Sequence, residues 1–229
     1  MKPLKDWDDL PYFLRTEAVR PYYDNLKKHE KELYLKRAFD IIAASLLLVI
    51  LAPIMLVVAI WIKLDSPGPV FFRQTRITQY GKEFRIFKFR TMVNNADKMG
   101  SAVTVGNDSR ITTVGSIIRK FRIDEFPQLF NVLMGDMSFV GTRPEVPKYV
   151  SAYSEEMFST LLLPAGITSK TSIEYKDEDS LLANSEDVDG IYINNILPEK
   201  MYWNLKGISE FNALSEIVIM IKTAFAVLK

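Results

Sequence analysis

The chain has 229 residues, 29 Lys/Arg against 28 Asp/Glu, and 48% hydrophobic residues, a composition that suits one globular unit with appendages. It has no cysteine and a single histidine, which excludes disulfides and thiolate metal sites and makes histidine-based acid–base or zinc chemistry a poor fit. Charge is uneven: residues 63–148 carry 14 basic against 8 acidic side chains and residues 149–229 carry 6 against 12, so the basic centre suits a phosphorylated ligand, an anionic bilayer surface or an ordinary solvated face.

In chain order, residues 1–35 are polar with scattered aromatics (Trp7, Tyr12, Phe13, Tyr22, Tyr23). They read as an interfacial or partner-contacting extension, with a surface helix over Glu17–Leu35 broken at Pro21. His29, inside the charged run Lys27-Lys28-His29-Glu30-Lys31, is expected to be exposed. Residues 36–63 form a membrane segment. Ile41–Ile62 is free of charge, and a straight helix of that length spans about 33 Å, enough for a hydrocarbon core. Pro53 lies near its middle and predicts a kink, with Ser45 available to satisfy backbone groups near the bend. Basic residues flank both ends, so charge does not choose an orientation. A re-entrant helix bent at Pro53 and a single spanning helix both remain open at this point.

Residues 64–229 form the remaining domain. Asp65-Ser66-Pro67-Gly68-Pro69 is a turn cluster. Val70–Ile77 and Phe84–Phe89 predict a β-hairpin across Tyr80-Gly81-Lys82. Asn94–Gly100 reads as a short helix or turn. Thr113–Phe121 reads as a helix with Ile117, Ile118 and Phe121 on one face, and Gln128–Met134 as a second helix ending at Gly135. From Ile208 to Lys229 the apolar spacing predicts one amphipathic helix, which either packs on the domain or lies in the lipid interface.

Asp124 and Glu125 are adjacent carboxylates at the start of a helix expected to begin near Glu125, with Pro127 in its first turn. Asp124 is expected to cap that helix and to stay ionised in its dipole. An ionised carboxylate can attack phosphorus, and paired acids with a diphosphate give the oxygen-rich shell that Mg²⁺ prefers. A helix cap with an exposed neighbour is the plainer alternative. Arg143, between Gly141-Thr142 and Pro144, can grip phosphate with two parallel bonds. Lys88, Arg90, Arg119 and Arg122 are further phosphate candidates, each also readable as a solvated surface cation.

Together these blocks resemble the bacterial sugar transferases, the small monotopic polyprenyl-phosphate phosphoglycosyl transferases. The resemblance covers residues 36–150 well and the last third loosely. It rests on Lys36-Arg37-Ala38-Phe39-Asp40, Phe71-Phe72-Arg73-Gln74, Lys88-Phe89-Arg90-Thr91-Met92, Asp124-Glu125-Phe126-Pro127-Gln128-Leu129-Phe130-Asn131-Val132-Leu133, Gly135-Asp136-Met137-Ser138-Phe139-Val140-Gly141 and Arg143-Pro144-Glu145. It implies a mainly α fold with a small β-hairpin, a re-entrant membrane helix broken at Pro53, and interfacial amphipathic helices. It also implies transfer of a sugar-1-phosphate from a UDP-sugar to polyprenyl phosphate, typically undecaprenyl phosphate, with release of UMP, at the cytoplasmic face of the bacterial cytoplasmic membrane. Asp124 would be the nucleophile and Glu125 its Mg²⁺ or proton partner, with Arg143, Lys88 and Arg90 near the substrate. The inner leaflet is then a partner and nucleic acid is not, and a homodimer is left open. Two departures stand out: Thr142 replaces the family's usual proline, and Leu163–Ser169 lacks an arginine and a tryptophan common in the last third, so the sugar is not specified.

Overall fold

The computed structural model describes residues 2–96, 108–174 and 187–227. Its first two regular helices are α1 (Arg20–Lys28) and α2 (Glu30–Asp65), separated only by His29. Pro21 lies in the first turn of α1, where a missing N–H costs little, so it opens a helix rather than breaking one. At 36 residues, α2 is about 54 Å long. Its backbone is helical through Pro53, and the Ser45 hydroxyl donates back to the carbonyl of Ile41 at 2.8 Å.

Burial along α2 is one-sided. Leu33, Asp40, Ala44, Met55, Val58 and Ile62 face inward, whereas Ile42, Leu46, Val49, Ile50, Leu56, Val57, Ile60 and Leu64 are each at least 54% exposed. An exposed apolar strip of this length marks a protein or membrane contact surface, and α2 is the one helix among the described residues long and apolar enough to cross a membrane. The inward face meets two parts of the core. Ala44, Leu47, Leu48 and Leu51 pack with Phe84, Ile86, Leu129 and Val132, and Met55, Val58 and Ile62 pack with Phe89, Val114 and Ile118.

The expected hairpin forms: β1 (Phe71–Ile77) pairs antiparallel with β2 (Glu83–Phe89), Phe71 opposite Phe89 and Ile77 opposite Glu83. Tyr80 (φ 60°) and Gly81 (φ 75°) turn the chain between them. Next come α3 (Thr113–Lys120), capped by the Thr112 hydroxyl on the Gly115 N–H, and α4 (Gln128–Met134), closed by Gly135 at φ 85°. On α3 only Val114 and Ile118 point inward. Ile117 and Phe121, expected on one face with Ile118, are 38% and 55% exposed. The turn at Asn94–Ala96 is described; the rest of the Asn94–Gly100 segment lies outside the described residues.

Sequence pattern missed a second small sheet. β3 (Met137–Val140) runs parallel to β4 (Ala165–Thr168); four residues are too few for alternation to register. At its end Gly141 and Gly166 touch backbone to backbone. A Cβ on Gly166 would sit 2.2 Å from the Gly141 nitrogen, so only glycine fits there. Between and after these strands lie α5 (Pro147–Val150), α6 (Lys170–Glu174), α7 (Val188–Ile191) running into a π turn at Tyr192–Ile196, α8 (Leu197–Ser209) and α9 (Ala213–Val227).

Three expectations are corrected by packing. The first 35 residues, expected as an interfacial or partner-contacting extension, pack into the domain: Leu4, Leu10, Leu14, Val19, Tyr23 and Leu26 are buried with Leu33, Leu161, Leu162, Ile208 and Phe211. Leu14 lies in a 3₁₀ turn (Tyr12–Leu14), Tyr23 and Leu26 on α1, and Leu4, Leu10 and Val19 outside regular helices, so no single period joins them. His29 is half-buried, with Nδ1 2.6 Å from Glu32. The last segment is two helices, broken at Glu210–Asn212 with Phe211 buried. In α9 amphipathicity is inverted. Glu216 pairs inward with Lys36 and the Thr223 hydroxyl meets Thr168 at 2.7 Å, while Leu214, Ile217, Val218 and Ile221 are 47–75% exposed.

Candidate active site

The chain leaves α3 through Arg122, in the left-handed region at φ 57°, and enters a 3₁₀ turn at Ile123–Glu125. Ile123 and Phe126 bracket the two carboxylates and pack against the cluster of Met55, Val58 and Ile62. The carboxylate pair is thereby fastened to the second half of α2. Its other support is Asn131 on α4, whose side chain accepts from the Phe87 N–H at 2.8 Å and donates to the Arg85 carbonyl at 3.1 Å. Those bonds fix β2 around Lys88.

Glu125 is the hub. Its Oε1 accepts from Lys88 Nζ at 3.0 Å and from Arg143 at 2.7 Å. Burial alone would push its carboxyl up, but Arg143 and Lys88 hold it well below the carboxylate range. Burial pushes the Lys88 ammonium down, with Glu125 opposing. Asp124 is 9% exposed, and its carboxylate makes no hydrogen bond or ion pair to another described residue. Burial pushes its carboxyl up, Lys88 opposes, and Glu125 adds to the rise. It does not cap α4, which begins at Gln128 without a side-chain cap. The expectation of a capped, dipole-stabilised carboxylate is therefore replaced by a buried one without partners, flanked by cations.

The remaining candidates divide. Arg119 on α3 is half-buried and close enough for its charge to lower Asp124. Arg122 is exposed and serves the turn through its backbone. Arg90 is corrected: it is 5% exposed and donates to the carbonyls of Ile62 (3.3 Å), Ser66 (2.7 Å) and Pro67 (3.0 Å). It closes the C-terminus of α2, whose last carbonyls have no helical partner. Arg90→Gln is therefore expected to lower stability by about 1–3 kcal/mol in thermal denaturation, with substrate KM values unchanged.

The Arg143 segment is held from behind. Arg76 donates to the Pro144 carbonyl at 3.1 Å and the Ile77 N–H to the Glu145 carbonyl at 3.0 Å. Glu145 is buried, accepting from the Tyr192 hydroxyl at 2.6 Å with Lys200 Nζ at 3.7 Å. Sequence reading passed over Tyr192 and Lys200, because nothing local marks them. Glu145 stood out in the sequence only as part of Arg143-Pro144-Glu145. Gln128, one turn after Asp124, is 1% exposed with its Nε2 unpartnered.

A magnesium ion prefers hard oxygen ligands and is commonly held by one or two carboxylates together with substrate phosphates and water. No group of three or more acidic or histidine side chains gathers among the described residues. Asp124, and Glu125 through the oxygen not taken by Lys88 and Arg143, fit such a partial shell.

The profile of the family described as bacterial sugar transferase matches residues 31–229. The chain is 47% identical over 124 residues to the UDP-N-acetylgalactosamine-undecaprenyl-phosphate N-acetylgalactosaminephosphotransferase of Aeromonas hydrophila, covering 54% of this chain and 29% of that one. It is 35% identical over 212 residues to the UDP-glucose:undecaprenyl-phosphate glucose-1-phosphate transferase of Escherichia coli K12 (90% and 43%). It is 32% identical over 243 residues to the undecaprenyl-phosphate galactose phosphotransferase of Salmonella typhimurium (99% and 47%). The chain thus spans less than half the length of each of these relatives. Since the matched region takes in α2, the hairpin, the carboxylate pair and the Arg143 segment alike, the chain belongs to the bacterial sugar transferase family.

Proposed function

We propose that this chain transfers a sugar-1-phosphate from a UDP-sugar to a polyprenyl phosphate, releasing UMP, and so begins assembly of a surface glycan such as an exopolysaccharide or lipopolysaccharide. The relatives' names supply the reaction class. The observation that carries the reading is Asp124, a buried carboxylate without a partner, beside Lys88, Glu125 and Arg143 and fastened to the apolar helix. A carboxylate oxygen of Asp124 attacks the sugar-bearing phosphorus, and the bond to UMP breaks with its electron pair leaving on UMP. An oxygen of the polyprenyl phosphate then attacks the same phosphorus, the aspartyl bond breaks, and the carboxylate is restored. Arg143, Lys88 and Arg119 supply positive charge for the phosphates, and Glu125 orients the first two. Mg²⁺ bound by Asp124, Glu125 and the diphosphate would offset the negative charge.

We further propose that α2 enters and leaves through the cytoplasmic leaflet. In support, both of its ends are tied to the same globular body. Near the start, Lys36 donates to the Val140 carbonyl, Arg37 to the carbonyls of Val132 and Leu133, and Asp40 accepts from the Phe139 N–H. At the end, Ile62 accepts from Arg90 and Asp65 from the Val114 N–H. A helix crossing the bilayer would carry these ends to opposite sides. With single cysteines introduced at Lys28 and Ser209, a membrane-impermeant thiol reagent is expected to label both only from the cytoplasmic side; labelling of either from the periplasm rejects the topology. The activity is tested by incubating the purified chain with undecaprenyl phosphate, Mg²⁺ and a panel of UDP-sugars, reading UMP. Silence with every sugar rejects it.

A further inference from the structure

The β-hairpin carries two arginines that the proposed chemistry does not use. Arg73 on β1 and Arg85 on β2 cross the ladder. Arg73 donates to the Arg85 carbonyl at 3.0 Å, and Arg85 donates to the Arg73 carbonyl at 3.2 Å. Their guanidiniums are thus held side by side by main-chain bonds, and neither forms a salt bridge among the described residues. Like charges repel, and an anion placed between the two guanidiniums would relieve that repulsion. Burial pushes the Arg73 guanidinium down, the charge of Arg85 adds to this, and Asp136 opposes. Asp136 is itself paired with Lys82 at 3.0 Å. Arg73 Nε is buried with no hydrogen-bond partner.

The surroundings identify the kind of anion. The Arg73 guanidinium lies 3.3 Å above the centre of the Phe87 ring, and Phe87 packs on Phe130 of α4 with ring centres 5.7 Å apart. Phe130 and Met134 are 38% and 58% exposed, one turn apart on α4. The buried side of α4, Leu129 and Val132, packs on Ala44, Leu47 and Leu48 of α2. At that level of α2, Ile41, Ile42, Leu46 and Val49 are exposed apolar residues. From α2 outward the order is apolar helix, exposed apolar side chains, aromatic ring, then a paired cation. That is the order of acyl chain and headgroup across a bilayer interface.

We infer that Arg73 and Arg85 form a binding site for the phosphate of a membrane lipid, set on Phe87 and Phe130 at the edge of the bilayer. This rests on the reading of α2 as membrane-embedded. Two sources of that phosphate are distinguishable, the headgroup of an anionic bilayer lipid and the polyprenyl phosphate on its way to Asp124.

The test uses the full chain purified in mixed micelles of phosphatidylcholine and phosphatidylglycerol, with co-purifying lipid quantified by mass spectrometry. Wild type is expected to retain phosphatidylglycerol preferentially. Arg73→Gln/Arg85→Gln is expected to lose about fivefold of that preference per arginine. Arg15→Gln/Arg20→Gln, which removes the same charge from the N-terminal region, is expected to keep it. UMP release from the same preparations separates the sources. Lost retention with an unchanged KM for undecaprenyl phosphate assigns a headgroup site. A raised KM for undecaprenyl phosphate, with that for the UDP-sugar unchanged, assigns the substrate's own phosphate. If the arginine pair variant matches wild type in both retention and KM, the site does not exist. Retention is read without turnover, so a chain inactive on every UDP-sugar that still shows the arginine-dependent preference would reject the proposed activity and leave this site standing.

Discussion

Asp124→Asn is expected to abolish UMP release, by about four orders of magnitude or more for loss of a covalent nucleophile, while the melting temperature holds or rises. Asparagine keeps the shape of the side chain and removes a charge that burial disfavours. The same burial predicts the pH profile. The reaction needs the ionised carboxylate, and its titration lies above the ordinary 3.8 because burial outweighs the opposing charge of Lys88. UMP release should therefore fall as pH drops through a value above 3.8, and Lys88→Met should move that limb further up by removing the opposing cation. A limb at the ordinary aspartate value would mean that another group carries the step. Glu125 behaves oppositely as a stabiliser: its depressed carboxyl contributes stability that is present above the unfolded value near 4.5 and lost as pH falls through the folded one. Trapping under turnover followed by mass spectrometry should find the phosphosugar on Asp124 and on no other residue.

Lys200→Met is expected to cost about 3–5 kcal/mol, the range for removing one partner of a buried ion pair, and to lower turnover as well. Lys200 and Glu145 are 9% and 5% exposed at the side chain, so the variant removes one of the two cations near a buried carboxylate and leaves Arg76. Glu145 lies two residues from Arg143 and is held by Tyr192. A shift there moves the guanidinium that grips Glu125. Lys200→Met/Glu145→Gln should recover most of the stability, since the pair acts as a unit. Denaturant unfolding of the two single variants and the double variant measures the coupling. Additive losses would show that the two side chains do not interact.

Much of this molecule was legible from local pattern. The hairpin, α3, α4 with its glycine stop, and the charge-free stretch of α2 each have a period or a terminator that sequence displays directly. So does the Asp124–Glu125 pair, whose motif neighbours stand in order along the chain. What could not be read locally was the use of residues with no period. Leu4, Leu10 and Leu14 looked like stray apolar residues in a polar tail, and only packing on Leu161 and Leu162 makes them core. Arg90 sits two residues from Lys88 in one basic motif. Strand β2 ends at Phe89, so Lys88 inside it meets Glu125, while Arg90 just beyond it reaches the carbonyls at the end of α2.

The C-terminal helix shows where the division lies. Its spacing by itself determined that one side is apolar, but not which way that side would face. Only the tertiary structure decided this, because Lys36 and Thr168 claim Glu216 and Thr223 for the interior and leave Leu214, Ile217, Val218 and Ile221 outside. In the same way sequence determined that two carboxylates and an arginine were present. Burial in the fold, with Lys88 and Arg143 bonded to Glu125, decided that Asp124 is the one left without a partner among the described residues, since pairing and desolvation depend on neighbours that are distant along the chain.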